Sequence, residues 1–156
     1  MDLRNPGVRF PPPLLYVAGL LAAWVLDRYV KALPFSHMRM PALVPAGWAL
    51  SAAGVCLVGW GMVTFRRART AIIPNQAASR IVSSGPYRFT RNPMYTGLAI
   101  AYCGVALLMN SVWPLILLPL VIALVVRLVI AREEAYLRHA FSADYGAYSA
   151  RVRRWF

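Results

Sequence analysis

The sequence predicts an all-α, polytopic membrane protein: four transmembrane helices, the last two joined as a helix-turn-helix hairpin, followed by a cytosolic C-terminal helix. Three observations carry that expectation. Of 156 residues, 60% are hydrophobic and only 14% charged, with mean hydropathy +0.54; a soluble domain keeps roughly a quarter charged. Four apolar runs recur along the chain, each near the length that crosses a bilayer. Apart from Arg28 and Arg127, the basic residues fall between and after those runs. The length suits a single domain over residues 1–156.

The first run covers residues 14–30, led in by Pro11, Pro12 and Pro13, which suit a helix start because the missing N–H costs little there. It does not read as a cleaved signal peptide, since Asp27 and Arg28 stand where small residues would mark a cleavage site. Residues 42–65 form a second run, long enough to span with some tilt. Residues 93–109 and 112–131 follow, separated by Asn110 and Ser111, which leave room only for a tight turn. The intervening segments 66–92 and 132–156 hold most of the polar residues and are expected to be cytosolic.

Net charge is +12, from 17 Lys and Arg against 5 Asp and Glu. No nucleic-acid-binding motif accompanies it, so anionic headgroups and membrane orientation are the expected use and no nucleic-acid partner is expected. With both termini inside, fourteen basic residues are cytoplasmic, and only Arg28, Lys31 and Arg39 lie outside. The positive-inside rule therefore places both termini and the polar segments in the cytoplasm, at a cell inner membrane. Cys56 and Cys103 lie in apolar runs, without the spacing of a metal site or a disulfide framework, and read as small hydrophobes.

The densest polar constellation is Gly85-Pro-Tyr-Arg-Phe-Thr-Arg-Asn-Pro-Met-Tyr-Thr-Gly97. Gly85 and Pro86 allow a sharp turn. Asn92 is placed as N-cap and Pro93 as first residue of the third span. A helix N-terminus beside Arg91 makes an anion site, suited to the carboxylate of a methionyl group. The same residues also suit a plain capped helix start with snorkelling arginines.

A second constellation joins Arg127, flanked by apolar residues, to Glu133 and Glu134. An ionisable residue at such a depth needs a partner or a wet cavity. Glu134, seven residues on, is expected to share a face of the helix with Arg127. One glutamate could accept from ribose hydroxyls while the other pairs with an arginine. The competing reading is a headgroup-level ion-pair network with Arg132 and Arg138. Gly59-Trp60-Gly61 reads first as helix packing. Neither His37 nor His139 has a partner that would make it a base or ligand.

The stretch from Ile81 to Gly97 resembles the signature of the isoprenylcysteine carboxyl methyltransferase family and the related phospholipid methyltransferases. Downstream, Arg127, Glu133, Glu134, Leu137, Phe141, Tyr145, Tyr148 and the run from Arg151 to Trp155 are similar to that family's C-terminal segment. The resemblance covers roughly Thr70 to Phe156. It implies S-adenosylmethionine held between the membrane helices and the C-terminal segment, with Arg91, Asn92, Pro93, Tyr95, Glu133 and Glu134 taking part. Gly85, Tyr87 and Gly97 are the further candidate cofactor residues in the same motif. Gly59 and Gly61 are similar to the Gly-x-Gly element of phospholipid methyltransferases. Many members carry His where Asn92 stands; Asn can hydrogen-bond but cannot titrate. Eukaryotic carboxyl methyltransferases have spans beyond those found here.

The function expected is methyl transfer from S-adenosylmethionine at the cytoplasmic membrane face to an amphipathic or lipid-like, isoprenoid-type acceptor, a carboxylate first, with membrane lipid as the other partner. Arg127 is the candidate catalytic residue, orienting the acceptor or the cofactor carboxylate by bidentate hydrogen bonding; no metal is called for. A nicotinamide-dependent membrane reductase of related fold and a non-enzymatic membrane assembly protein are the alternatives.

Overall fold

The computed structural model describes residues 11–30, 41–69 and 80–155. Arg4, Arg9, Lys31, His37 and Arg39 lie outside them. Among the described residues every regular element is helical: α1 (Pro12–Tyr29), α2 (Leu43–Arg67), a 3₁₀ turn (Gly85–Arg88), α3 (Pro93–Met109), α4 (Trp113–Val125), a π-helical turn (Val126–Ile130), α5 (Ala131–Ala140) and α6 (Ser142–Arg151). Each predicted span falls on a helix, and α3 has the predicted bounds. Prolines occupy the first turns of α1, α3 and α4, where no intrahelical N–H is forfeited.

α2 and the continuous helix Trp113–Ala140 are long and apolar enough to cross a membrane, and α3 is a shorter apolar helix. A soluble core helix would be mostly covered, yet only 11% of the apolar window of α2 is buried. Leu14, Leu21, Trp48, Val55, Leu120 and Leu128 instead point outward. Apolar side chains in such number facing away from the protein suit lipid, not water.

α3 is the centre of the bundle. It packs along α2 on one side and touches α1 and α4 on the other. The α2–α3 seam is built on glycine: Gly47, Gly54 and Gly61 recur every seven residues and meet Gly104, Gly97 and Met94 in turn. A Cβ on Gly97 would lie 2.7 Å from the Gly54 carbonyl oxygen, and one on Gly104 would lie 2.7 Å from that of Gly47. Because lipid tails are as apolar as the helices, close backbone approach takes over from the hydrophobic effect as the force holding them together.

The chain reverses between α3 and α4 at Asn110, whose φ of 50° ends the helix in the left-handed conformation that Asn tolerates. Ser111 then accepts from the Trp113 amide and donates to Asp27 Oδ1 at 2.7 Å, fastening the end of α1 to this turn. At the opposite end the Tyr16 hydroxyl donates to the Tyr95 carbonyl at 3.0 Å. α1 therefore runs parallel to α3, with α2 and α4 antiparallel to it. The starts of α1 and α3 and the ends of α2 and α4 gather at one end, where the polar segments also sit.

Candidate functional site

Gly85 opens the site with φ +57°, and a Cβ there would lie 2.7 Å from Thr64 Oγ1. Glycine is thus required twice, for the backbone conformation and for the fit against α2. The turn that follows buries Tyr87, whose ring packs on Phe65 with centroids 5.0 Å apart. The Tyr148 hydroxyl of α6 donates to the Tyr87 carbonyl at 2.8 Å, clamping this turn between α2 and the C-terminal segment. The Tyr87 hydroxyl itself is buried with no partner among the described residues.

The next residues meet the end of the chain. The Arg91 amide donates to the Arg153 carbonyl at 2.9 Å. The Arg154 carbonyl accepts from Thr90 Oγ1 at 3.0 Å and from Asn92 Nδ2 at 3.1 Å. Asn92 does sit at the N-cap position of α3, but its side chain makes no cap bond. Its amide group donates instead to the Arg154 carbonyl in the C-terminal strap (residues 152–155), which corrects the expected capping role. Pro93 is buried as the first residue of α3.

The glutamates approach from the other side. α4 continues through the π-turn into α5, so Glu133 and Glu134 stand at the start of α5, beyond the apolar stretch. The Tyr95 hydroxyl donates to Glu133 Oε1 at 2.7 Å. Burial pushes the Glu133 carboxyl up to about 7; the Tyr95 hydrogen bond pulls it down, and the charge of Glu134 adds to the rise.

Glu134 is only 5% exposed and is surrounded by arginines. Arg154 grips it bidentately, Nε to Oε1 at 3.0 Å and Nη2 to Oε2 at 2.7 Å. Arg138 Nη2 donates to Oε2 at 3.1 Å, and Arg91 Nη1 lies 3.5 Å from Oε1. Burial alone would raise the Glu134 carboxyl, but the Arg154 hydrogen bonds and the charges of Arg154, Arg91 and Arg138 outweigh it and hold the group below its ordinary value. Arg91 also donates to the Tyr145 hydroxyl at 3.1 Å, while its Nε is buried without a partner among the described residues.

The two sequence constellations thus meet, through Tyr95 with Glu133 and Arg91 with Glu134. Two expected members stand apart. Gly97 faces the Gly54 backbone and serves the α2–α3 seam. Arg127 is exposed, and no hydrogen bond or ion pair joins it to the described residues around Glu134. The shared face expected for Arg127 and Glu134 is lost because the π-turn holds an extra residue, rotating all that follows relative to a regular helix. Arg154, Thr90 and Tyr145 are not among the site residues expected from the sequence; Thr90 lies within the Gly85–Gly97 constellation, and Tyr145 and Arg154 within the segment similar to the family's C-terminal region. For the Gly59–Gly61 pair, Gly61 abuts Met94, whereas a Cβ at Gly59 would meet nothing within 4 Å.

A conserved-domain comparison matches residues 42–144 to the phospholipid methyltransferase family model. That span covers α2, α3, α4 and both glutamates. The chain belongs to the phospholipid methyltransferase family. This is the family of isoprenylcysteine carboxyl methyltransferase-like proteins, so the resemblance carried by the Ile81–Gly97 stretch holds. No curated protein and no solved structure matched in the corresponding searches. Membership points to a membrane methyltransferase, in keeping with the two apolar helices of spanning length.

Proposed function

We propose that this chain transfers the methyl group of S-adenosylmethionine, at the cytoplasmic face of a cell inner membrane, to a carboxylate on a lipid-like or isoprenoid-type acceptor. The observation that carries this reading is the convergence of Tyr95 and Arg91 from the start of α3 with Glu133 and Glu134 from α5. In the proposed topology all four long helices cross the bilayer and both termini lie in the cytoplasm, which puts the arginine-rich end on the side of the soluble cofactor.

The donor set suits that cofactor. The partnerless buried Nε of Arg91 fits a carboxylate. Glu133, engaged by Tyr95 through one oxygen, fits hydroxyls or an ammonium group. Gly85, Tyr87, Asn92 and Pro93 lie in and beside the turn that leads into α3, next to Arg91 in sequence. S-adenosylmethionine, when bound, supplies an electrophilic methyl group on a sulfonium.

A carboxylate acceptor is ionised at neutral pH and needs no base. The protein's task is alignment and removal of water. Arg127 faces outward among Leu120, Leu124 and Leu128, where a lipid-borne acceptor arrives. A guanidinium in apolar surroundings calls for an anionic partner, so Arg127 orients the acceptor rather than the cofactor.

Calorimetric titration of detergent-purified protein with S-adenosylhomocysteine tests the reading. Saturable binding that weakens in Glu133→Gln and Arg91→Gln is expected. A folded wild-type protein that binds nicotinamide dinucleotide, or neither ligand, would overturn it.

A further inference from the structure

Three guanidinium groups, those of Arg91, Arg138 and Arg154, converge on the single carboxylate of Glu134. They do not share it equally. Arg154 takes both oxygens in a fork, at 3.0 and 2.7 Å, and Arg138 adds a third bond at 3.1 Å. Arg91 is left at 3.5 Å, past good hydrogen-bond distance, with its Nε buried and unpaired. Arg154 is fixed for this task by its own backbone: its carbonyl accepts from Thr90 and Asn92, and the neighbouring Trp155 packs against the hydrophobic core that includes Tyr95 and Ile130.

A buried carboxylate must be paired, and the nearest guanidinium takes it. Were Arg154 absent, the group next in line on Oε1 is Arg91. We infer that Arg154 is a positioning residue: by occupying Glu134 with its fork, it keeps the carboxylate from capturing Arg91, whose Nη1 rests on the Tyr145 hydroxyl, so that the Arg91 Nε can receive the anionic group of the ligand. Glu134 then acts as an anchor for the C-terminal strap and does not itself touch the ligand, which separates the roles of the two adjacent glutamates. This rests on the cofactor reading given above.

The test is S-adenosylhomocysteine titration of the full-length purified protein in wild type, Arg154→Gln, Arg154→Lys, and the double variant Glu134→Gln/Arg154→Gln. Arg154→Gln is expected to weaken binding about tenfold or more, the scale of a lost charge-assisted hydrogen bond. Arg154→Lys, a point charge without the fork, falls between. The double variant removes the carboxylate that would capture Arg91 and is expected to return to within about threefold of wild type. A strap that served only to hold the fold together would gain nothing from the second substitution.

Wild-type affinity in Arg154→Gln, or a double variant as weak as the single one, overturns the inference and leaves the cofactor assignment standing. Absence of binding by folded wild-type protein overturns the cofactor assignment first, and this inference with it. If Arg154→Gln does not fold, the comparison of Arg154→Lys with Glu134→Gln/Arg154→Lys carries the same rescue logic.

Discussion

The Tyr95 hydroxyl donates to Glu133 Oε1 at 2.7 Å, joining the first turn of α3 to the first turn of α5 across 38 residues of chain. Neither partner could make this bond from its own helix. It exists because α3 and α4 form a hairpin that returns the chain to the end of the bundle it left. Replacing Tyr95 with Phe keeps the ring and removes the donor. The loss of a hydrogen bond to an ionisable group costs about 1.5–3 kcal/mol when fully buried, and the half-buried Glu133 puts the effect at the lower end. We expect a lower thermal midpoint and weaker S-adenosylhomocysteine binding; a variant matching wild type in both would show the bond to be incidental.

The two glutamates predict opposite pH effects. Glu133 titrates near 7 in the folded protein and at 4.5 ordinarily, so its folded form retains the proton longer. Its contribution to stability is complete below pH 4.5 and is lost as pH rises through about 7. Glu134 is held below its ordinary value, so its contribution is present above that value and is lost on acidification. Thermal melts across this range should show a decline toward neutral pH that Glu133→Gln removes. An unchanged profile in that variant would assign the decline elsewhere.

The ligand should follow the other sign. If Glu133 accepts from the cofactor as a carboxylate, S-adenosylhomocysteine binding strengthens as pH rises through about 7. Glu133→Gln should be weaker and flat with pH. Titrations at three pH values decide it.

Arg127 offers a separation of cofactor from acceptor. Arg127→Lys retains the charge but loses the planar fork. Turnover should fall on the order of tenfold or more, while S-adenosylhomocysteine affinity stays at the wild-type value because Arg127 does not touch the glutamate cluster. A parallel loss of cofactor affinity would return Arg127 to the cofactor side.

Glycine substitutions distinguish packing from ligand contact. Gly97→Val forces side-chain atoms into the Gly54 backbone, and overpacking of this kind costs about 1–3 kcal/mol. Gly59→Ala meets nothing within 4 Å and should be neutral or slightly stabilising, since Ala favours helix over Gly. Should Gly59→Ala instead abolish cofactor binding in a stable protein, the Gly-x-Gly resemblance would be functional after all.

Much of this was readable beforehand in particular residues. Pro93 marked the start of α3, Asn110 and Ser111 the hairpin, and the Arg91–Tyr95 and Glu133–Glu134 motifs the two polar clusters that the fold brings into contact. The seven-residue spacing of Gly47, Gly54 and Gly61 was also present in the sequence, although only a partner helix gives it meaning. Arg154 stood among several arginines of the C-terminal run, with nothing local to single it out.

By itself the sequence determined where the helices lie, because apolar run length and proline placement act within a few residues. It also determined which residue types could grip a charged ligand. The tertiary structure alone decided which glutamate Arg154 grips and which one meets Tyr95, since that depends on a C-terminal segment returning from the far end of the chain to Thr90 and Asn92. It also decided that Arg127 turns outward, because one π-turn breaks the 3.6-residue period on which any reading of a helix face relies.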